Sequence, residues 1–150
     1  EKTERELSPI EKRKVDKLFS NKIENYLDKG FGDCILKNDE IAKIVLDSLK
    51  HFNGERYDIF SWCVMPNHVH LLAAFPDEET MNKQCTSWMH YTAHEINRSL
   101  GESGHFWQYD PFDHLVRSPA QYSYLRTYIE DNPKQAKLSK GEYRYRRCPD

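Results

Sequence analysis

Apolar positions along the chain repeat with either a helical or a strand-like period, and the boundaries between the two are marked by capping and turn residues. Ser8-Pro9-Ile10-Glu11 has the form of a capping box with proline at the first helical position. Val15, Leu18, Phe19, Ile23, Tyr26 and Leu27 follow at helical spacing, and Gly30 is a natural stop, which predicts an amphipathic helix between them. A second helix is predicted from Asn38 or Asp39, with Ile41, Ile44, Val45, Leu49 and Phe52 on one face and Asn53-Gly54 at its end. Tyr57 to Val64 is rich in aromatic and β-favouring residues and reads as a strand. Met65-Pro66-Asn67 interrupts it, and His68 to Phe75 reads as a second strand. Its alternation puts His68, His70, Leu72 and Ala74 on one face and Val69, Leu71, Ala73 and Phe75 on the other.

A third helix is predicted from about Glu79 to Leu100, with Met81, Cys85, Trp88, Met89, Thr92, Ile96 and Leu100 as its buried stripe and Gly101 as its end. His105–Tyr109 and Phe112–Arg117 read as strands around the turn Asp110-Pro111. Ser118-Pro119-Ala120-Gln121 repeats the capping-box pattern and opens a helix through Tyr122, Leu125 and Ile129 that Pro133 should end. No repeat or low-complexity segment interrupts this order. Helices alternating with short strands predict a single α+β domain over residues 1–150, with helices packed on an antiparallel sheet.

Composition supports one core. The apolar share, 38%, lies below the usual range of roughly 45–50%, but 13% of the residues are aromatic and each brings a large area into the interior. No apolar run approaches the roughly 20 residues that span a bilayer, and the charged opening Glu1–Glu11 lacks the apolar stretch of a signal peptide. The chain therefore reads as cytoplasmic, with no membrane partner. Cys34, Cys63, Cys85 and Cys148 form no CxxC pair, which argues against a zinc ribbon and a disulfide framework. The net charge is −2 and unevenly spread: residues 1–60 carry 12 basic and 13 acidic groups (−1), residues 61–120 carry 3 and 7 (−4), and residues 121–150 carry 7 and 4 (+3). Lys134, Lys137, Lys140, Arg144, Arg146 and Arg147 form the basic concentration, a tail over about 134–150 in which Tyr143 and Tyr145 alternate with arginines. That mixture suits a nucleic-acid strand, and it equally suits a solvated tail.

Three groups of residues can carry chemistry. In His68-Val69-His70 the two imidazoles share one strand face, roughly 6–7 Å apart along the chain, and can converge on one metal ion. The bland alternative is a pair of packed or surface histidines. Tyr128 stands one helical turn after Tyr124 and one before Asn132, so the three look at one spot. A tyrosine with a pKa of about 10 is a poor nucleophile on its own. A divalent cation that polarises the attacked phosphate compensates, and Asn132 offers it an oxygen ligand. The alternative here is a tyrosine stripe packed on the sheet. His90 and His94 also lie four apart, on the polar face of the third helix beside Asn97 and Arg98, but no Glu follows His90, so the zinc-protease motif is absent. A solvated or DNA-facing surface is the reading for His90, His94 and Arg98.

These residues also carry a resemblance. Trp62-Cys63-Val64-Met65-Pro66-Asn67-His68-Val69-His70-Leu71-Leu72 closely resembles the HUH-motif strand of insertion-sequence 200-like transposases. Phe106-Trp107-Gln108, Phe112-Asp113-His114-Leu115-Val116-Arg117 and Tyr128-Ile129-Glu130-Asp131-Asn132-Pro133 follow in the family's order. The last motif looks like the REP-associated tyrosine transposase branch, in which Asn-Pro follows the nucleophilic tyrosine. Strong matches run from about Trp62 to Leu138. The resemblance implies a ferredoxin-like antiparallel sheet with the histidines on a central strand and the tyrosine on a facing C-terminal helix. It implies His68, His70 and Asn132 as metal ligands, Mg²⁺ or Mn²⁺ as the ion, and Tyr128 as nucleophile. Imidazole ligation suits Mn²⁺ better. It further implies single-stranded DNA with hairpins from repeated extragenic palindromes as substrate, cut and rejoined through a 5′-phosphotyrosine. The chain would act as monomer or homodimer, with Lys134, Lys137, Arg144, Arg146, Arg147, His90, His94 and Arg98 as candidate DNA contacts. The alternatives are a domesticated or inactive hairpin-binding regulator on the same fold and a metal hydrolase that uses water. One departure stands out: family members begin with a strand rich in Phe and Thr, whereas Glu1-Lys2-Thr3-Glu4 leads into a predicted helix. Either the sequence starts inside the natural protein or the sheet lacks a strand, which would expose backbone groups on its neighbour.

Overall fold

The computed structural model describes residues 18–24, 34–107 and 112–148. In chain order the elements are β1 (Leu18–Glu24), α1 (Asp39–His51), β2 (Asp58–Val64), β3 (His68–Ala74), α2 (Glu78–Leu100), β4 (Phe112–Leu115), α3 (Pro119–Gln135) and β5 (Arg144–Arg147), with a short 3-10 turn at Ile35–Lys37.

Each helix starts where a side chain takes over orphan backbone donors. Asn38 Oδ1 accepts from the N–H groups of Glu40 and Ile41 at 2.9 and 3.3 Å. Asp77 Oδ1 accepts from Thr80 N–H at 2.6 Å, and Ser118 Oγ from Gln121 N–H at 3.1 Å. The second half of the box expected at Ser118 does not close on Ser118: Gln121 Oε1 accepts from Arg117 N–H instead, at 2.7 Å. Gly101, with φ 68°, ends α2 in the left-handed conformation that favours glycine. The stripe Met81, Cys85, Trp88, Thr92 and Ile96 is buried as its spacing predicts, while Met89 and Leu100 are half-buried at its borders.

The strands form one antiparallel sheet in the order β4-β1-β3-β2-β5. The first four strands, with α1 and α2 as connections, give the expected ferredoxin-like arrangement, and β3 lies at the centre. Trp62, Val64, Val69, Leu71 and Ala73 face α1 and α2 and form the larger core with Ile41, Val45, Leu49, Trp88 and Ile96. The opposite face carries Phe60, Cys63 and Leu72, which pack with Val116 and with Ile129 of α3. Burial of one such aliphatic side chain is worth about 1.5–3 kcal/mol. The register shift between Ile59 and Ser61 lets β2 present both Phe60 and Cys63 to the α3 side without losing Trp62 and Val64 from the other.

Four expectations need correction. Leu18–Glu24 is a strand, not part of a helix: β1 pairs along its whole length with β3 and through Phe19–Lys22 with β4. Apolar residues at Leu18, Phe19 and Ile23 fit either structure locally. The open edge that β3 would otherwise present decides for the strand, because backbone groups in the middle of a sheet need partners. β1 thus covers the edge of β3 that a sheet lacking its first strand would leave open. The rest of that predicted helix, with the turn Asp110-Pro111, lies outside the described residues.

His105–Trp107 is not a strand, only a bridge residue at Trp107; Gln108 and Tyr109 lie outside the described residues. Pro133 does not end α3, which runs on to Gln135. A proline removes one donor, but the later amides of Ala136 and Leu138 still reach the carbonyls of Asn132 and Pro133, both at 3.0 Å. Finally, the basic segment is not simply a tail. Lys134 sits in the last turn of α3, and Arg144–Arg147 is an edge strand paired to β2 through Ser61–Val64. Buried Arg126 secures this end of the chain: its Nη1 donates to the Tyr122 hydroxyl at 2.5 Å and its Nη2 to the Cys148 carbonyl at 2.8 Å.

Candidate active site

The turn Met65-Pro66-Asn67 joins β2 to β3 and is closed by Met65 N–H donating to the His68 carbonyl at 2.8 Å. It is also pinned from α1's side, where Leu36 N–H donates to the Pro66 carbonyl at 2.9 Å. His68 therefore enters the central strand in a fixed register, and His70 follows two residues later on the same face. The rings meet edge to face with centroids 4.6 Å apart, and the two Nε2 atoms are 3.0 Å from each other. His70 is 4% exposed, and His68 is half-buried.

Asn67, to which the sequence reading gave no role, orients the pair. Its Oδ1 lies 2.7 Å from His68 Nδ1. An amide oxygen only accepts, so Nδ1 carries the proton and Nε2 of neutral His68 presents a lone pair toward His70. A carbonyl-type acceptor behind a ligating imidazole is the usual way to fix its tautomer. The donor set thus fits a divalent cation, with the two Nε2 atoms turned to one point. Among the described residues no group of three or more His, Cys, Asp or Glu side chains gathers to hold a metal.

α3 lies across this face. Ile129 is buried in the core beneath it, with Tyr122 and Leu125 partly buried beside it. That anchoring turns Tyr128 to the flank of the helix, where its ring stands edge-on to His70, centroids 5.6 Å apart at 81°. Tyr128 is 38% exposed, so one side of the ring touches the histidine and the other reaches solvent. Tyr124, one turn earlier, lies nearly parallel to it, centroids 6.4 Å apart at 23°, and is 67% exposed. Asn132, one turn later, is half-buried on the same helix.

The structure thus joins His68, His70 and Tyr128. The other candidates are spread more widely. His90, His94 and Arg98 are exposed on α2, across the sheet from the histidines, and do not share their site. His94 and Arg98 both neighbour Glu95, at 3.4 and 3.7 Å. Lys134 and Lys137 are exposed at the end of α3. On β5 the side chains alternate: Tyr145 packs on the α3 face with Cys63, so Arg147 shares that face while Arg144 and Arg146 point to the other. Arg144 is paired with Asp39 at the start of α1. The neighbour of His70 across β2 is Cys63, whose thiol is pushed up to about 12 by burial and stays neutral.

Among curated proteins none matches this chain. Among solved structures, that of a REP-associated tyrosine transposase bound to a REP hairpin superposes with a TM-score of 0.63 at 17% identity. The match covers 83% of this chain and 71% of that one, and at this identity it speaks for the fold. The family model for IS200-like transposases matches residues 35–132, from the turn before α1 through both histidines and Tyr128 to Asn132. The chain belongs to the IS200-like transposase family.

Proposed function

We propose that this transposase is a metal-dependent single-stranded DNA endonuclease and strand transferase of the REP-associated type, acting beside hairpins with Tyr128 as nucleophile. The observation that carries the reading is the contact of Tyr128 with His70, whose Nε2 lies 3.0 Å from that of His68. The hairpin in the complex of the similar structure supports the choice of substrate.

His68 and His70, with Asn132 as the candidate third ligand, would hold Mg²⁺ or Mn²⁺, which supplies charge stabilisation on the phosphate oxygens when bound. The buried position of His70 keeps that face of the site dry and rigid, while the exposed side of Tyr128 leaves a strand room to enter. The Tyr128 oxygen attacks phosphorus and forms a new P–O bond. The bond from phosphorus to the 3′-oxygen breaks, and that oxygen leaves as a 3′-hydroxyl, taking up the proton that the phenol gave up. The product is a 5′-phosphotyrosine linkage, a covalent intermediate that conserves the bond. Attack by a second 3′-hydroxyl reverses the step and joins strands, so no nucleotide cofactor is consumed. Lys134, Lys137 and Arg147 lie on or beside the same side of the sheet and suit the DNA backbone.

The test is incubation with labelled single-stranded hairpin DNA and Mn²⁺, followed by denaturing electrophoresis. A covalent protein–DNA band is expected with a hairpin bearing a single-stranded flank and little or none with blunt duplex, and binding should weaken with salt. Hairpin binding with no covalent band under any divalent ion would identify a DNA-binding regulator on the same fold and reject the nuclease.

A further inference from the structure

Among the described residues three large apolar side chains are conspicuously exposed, Tyr91, Tyr124 and Tyr128, at 55%, 67% and 38%. Two of them occupy successive turns of α3. Their near-parallel rings continue a line that starts at buried His70, passes through Tyr128 and ends in solvent at Tyr124. Tyr128 lies along one face of the outermost ring, and the rest of that ring is open to solvent, because Ser123 and Thr127 beside it are small and themselves exposed. Tyr124 is thus not packed on the sheet, which leaves its ring without a structural task.

We propose that Tyr124 is the stacking platform for the base of a nucleotide adjoining the scissile phosphate. The inference rests on Tyr128 as nucleophile. One helical turn is roughly 5.4 Å, the scale of one nucleotide step in an extended strand. A phosphate held at Tyr128 therefore leaves a neighbouring base at the level of Tyr124. Every base has a π-face, so the platform tolerates sequence and selects for an unpaired base, whose faces are free. Tyr124 is a positioning residue: it touches the strand beside the reacting atoms and holds the phosphate in place, and its hydroxyl does no chemistry.

The experiment uses the full chain in metal-free buffer with hairpin DNA whose single-stranded flank carries a fluorescent purine analogue at each position in turn. Quenching is expected at one position, which adjoins the phosphate mapped by the covalent adduct. Tyr124→Ala should abolish that quenching and weaken binding of the flank roughly tenfold, and Tyr124→Phe, which keeps the ring, should restore both. DNA with an abasic site at that position should bind parent and Tyr124→Ala alike. Quenching that ignores Tyr124→Ala at every position, or that depends on Tyr124 only far from the mapped phosphate, overturns the platform. Absence of any adduct from the parent instead strikes the nuclease reading, and the fluorescence scan still decides whether a base stacks on Tyr124.

Discussion

The Nε2 atoms of His68 and His70 face each other at 3.0 Å on the central strand. At that distance only one proton fits between them, and a cation that takes both nitrogens displaces it. His68→Ala and His70→Ala should each abolish the covalent adduct while leaving hairpin binding largely intact. Adduct assays in Mn²⁺ run beside binding titrations check this, and equal adduct formation by variant and parent would remove the histidines from the mechanism.

Asn67 makes a separate prediction, because it acts through His68 and not on the DNA. Replacing it with Leu removes the acceptor at 2.7 Å from Nδ1 and frees the ring to change tautomer or turn. Loss of such a supporting partner costs about 10–100-fold in metal affinity or activity. Asn67→Leu should need correspondingly more Mn²⁺ for half-maximal adduct, whereas Asn67→Asp, which keeps an acceptor, should need less than Asn67→Leu. An unchanged Mn²⁺ requirement in Asn67→Leu contradicts the orienting role.

The tyrosines separate by position. Tyr128 abuts His70, and Tyr124 is a further ring outward. Tyr128→Phe deletes the attacking oxygen alone and should eliminate the adduct. Tyr124→Phe should keep one. Peptide mapping of the trapped complex locates the bond, and DNA attached to Tyr124 would reverse the assignment.

Cys63 predicts a pH dependence of stability. Burial raises its thiol from 9.0 to about 12, so in this range the folded state keeps a proton that the unfolded state loses. The contribution is fully present below about 9 and is lost progressively as pH rises toward about 12. Urea midpoints should fall over that window, and the fall should be smaller in Cys63→Ala compared with its own value at neutral pH. Thiol reagents at neutral pH should modify exposed Cys34 while Cys63 stays unreacted until the protein unfolds. Rapid labelling of Cys63 in the native state would show that the sheet face under α3 is open.

Much of this molecule is written in local signals. Asn38, the Gly101 stop and the Ser118-Pro119 start mark helix ends through contacts within a few residues, so α1, α2 and the start of α3 are legible from pattern alone. The spacing of His68 and His70 fixes their shared face wherever that strand sits, because side chains alternate along any strand. The spacing of Tyr124, Tyr128 and Asn132 does the same on a helix. Other features depend on partners distant in sequence. Leu18–Glu24 carries apolar residues compatible with either period, and only the unpaired backbone of β3 and β4 makes it a strand. Arg144–Arg147 looks like a solvated basic run until the edge of β2 claims its amides. The separation of His90, His94 and Arg98 from the site is a matter of which sheet face α2 covers, and no helical period encodes that. The meeting of Tyr128 with His70 is likewise tertiary. The sequence by itself determined which side chains share a face. Packing of Ile129 onto Cys63 and Leu72 decided that the tyrosine face of α3 would meet the histidine face of β3, because burying that apolar surface leaves the helix one way to lie.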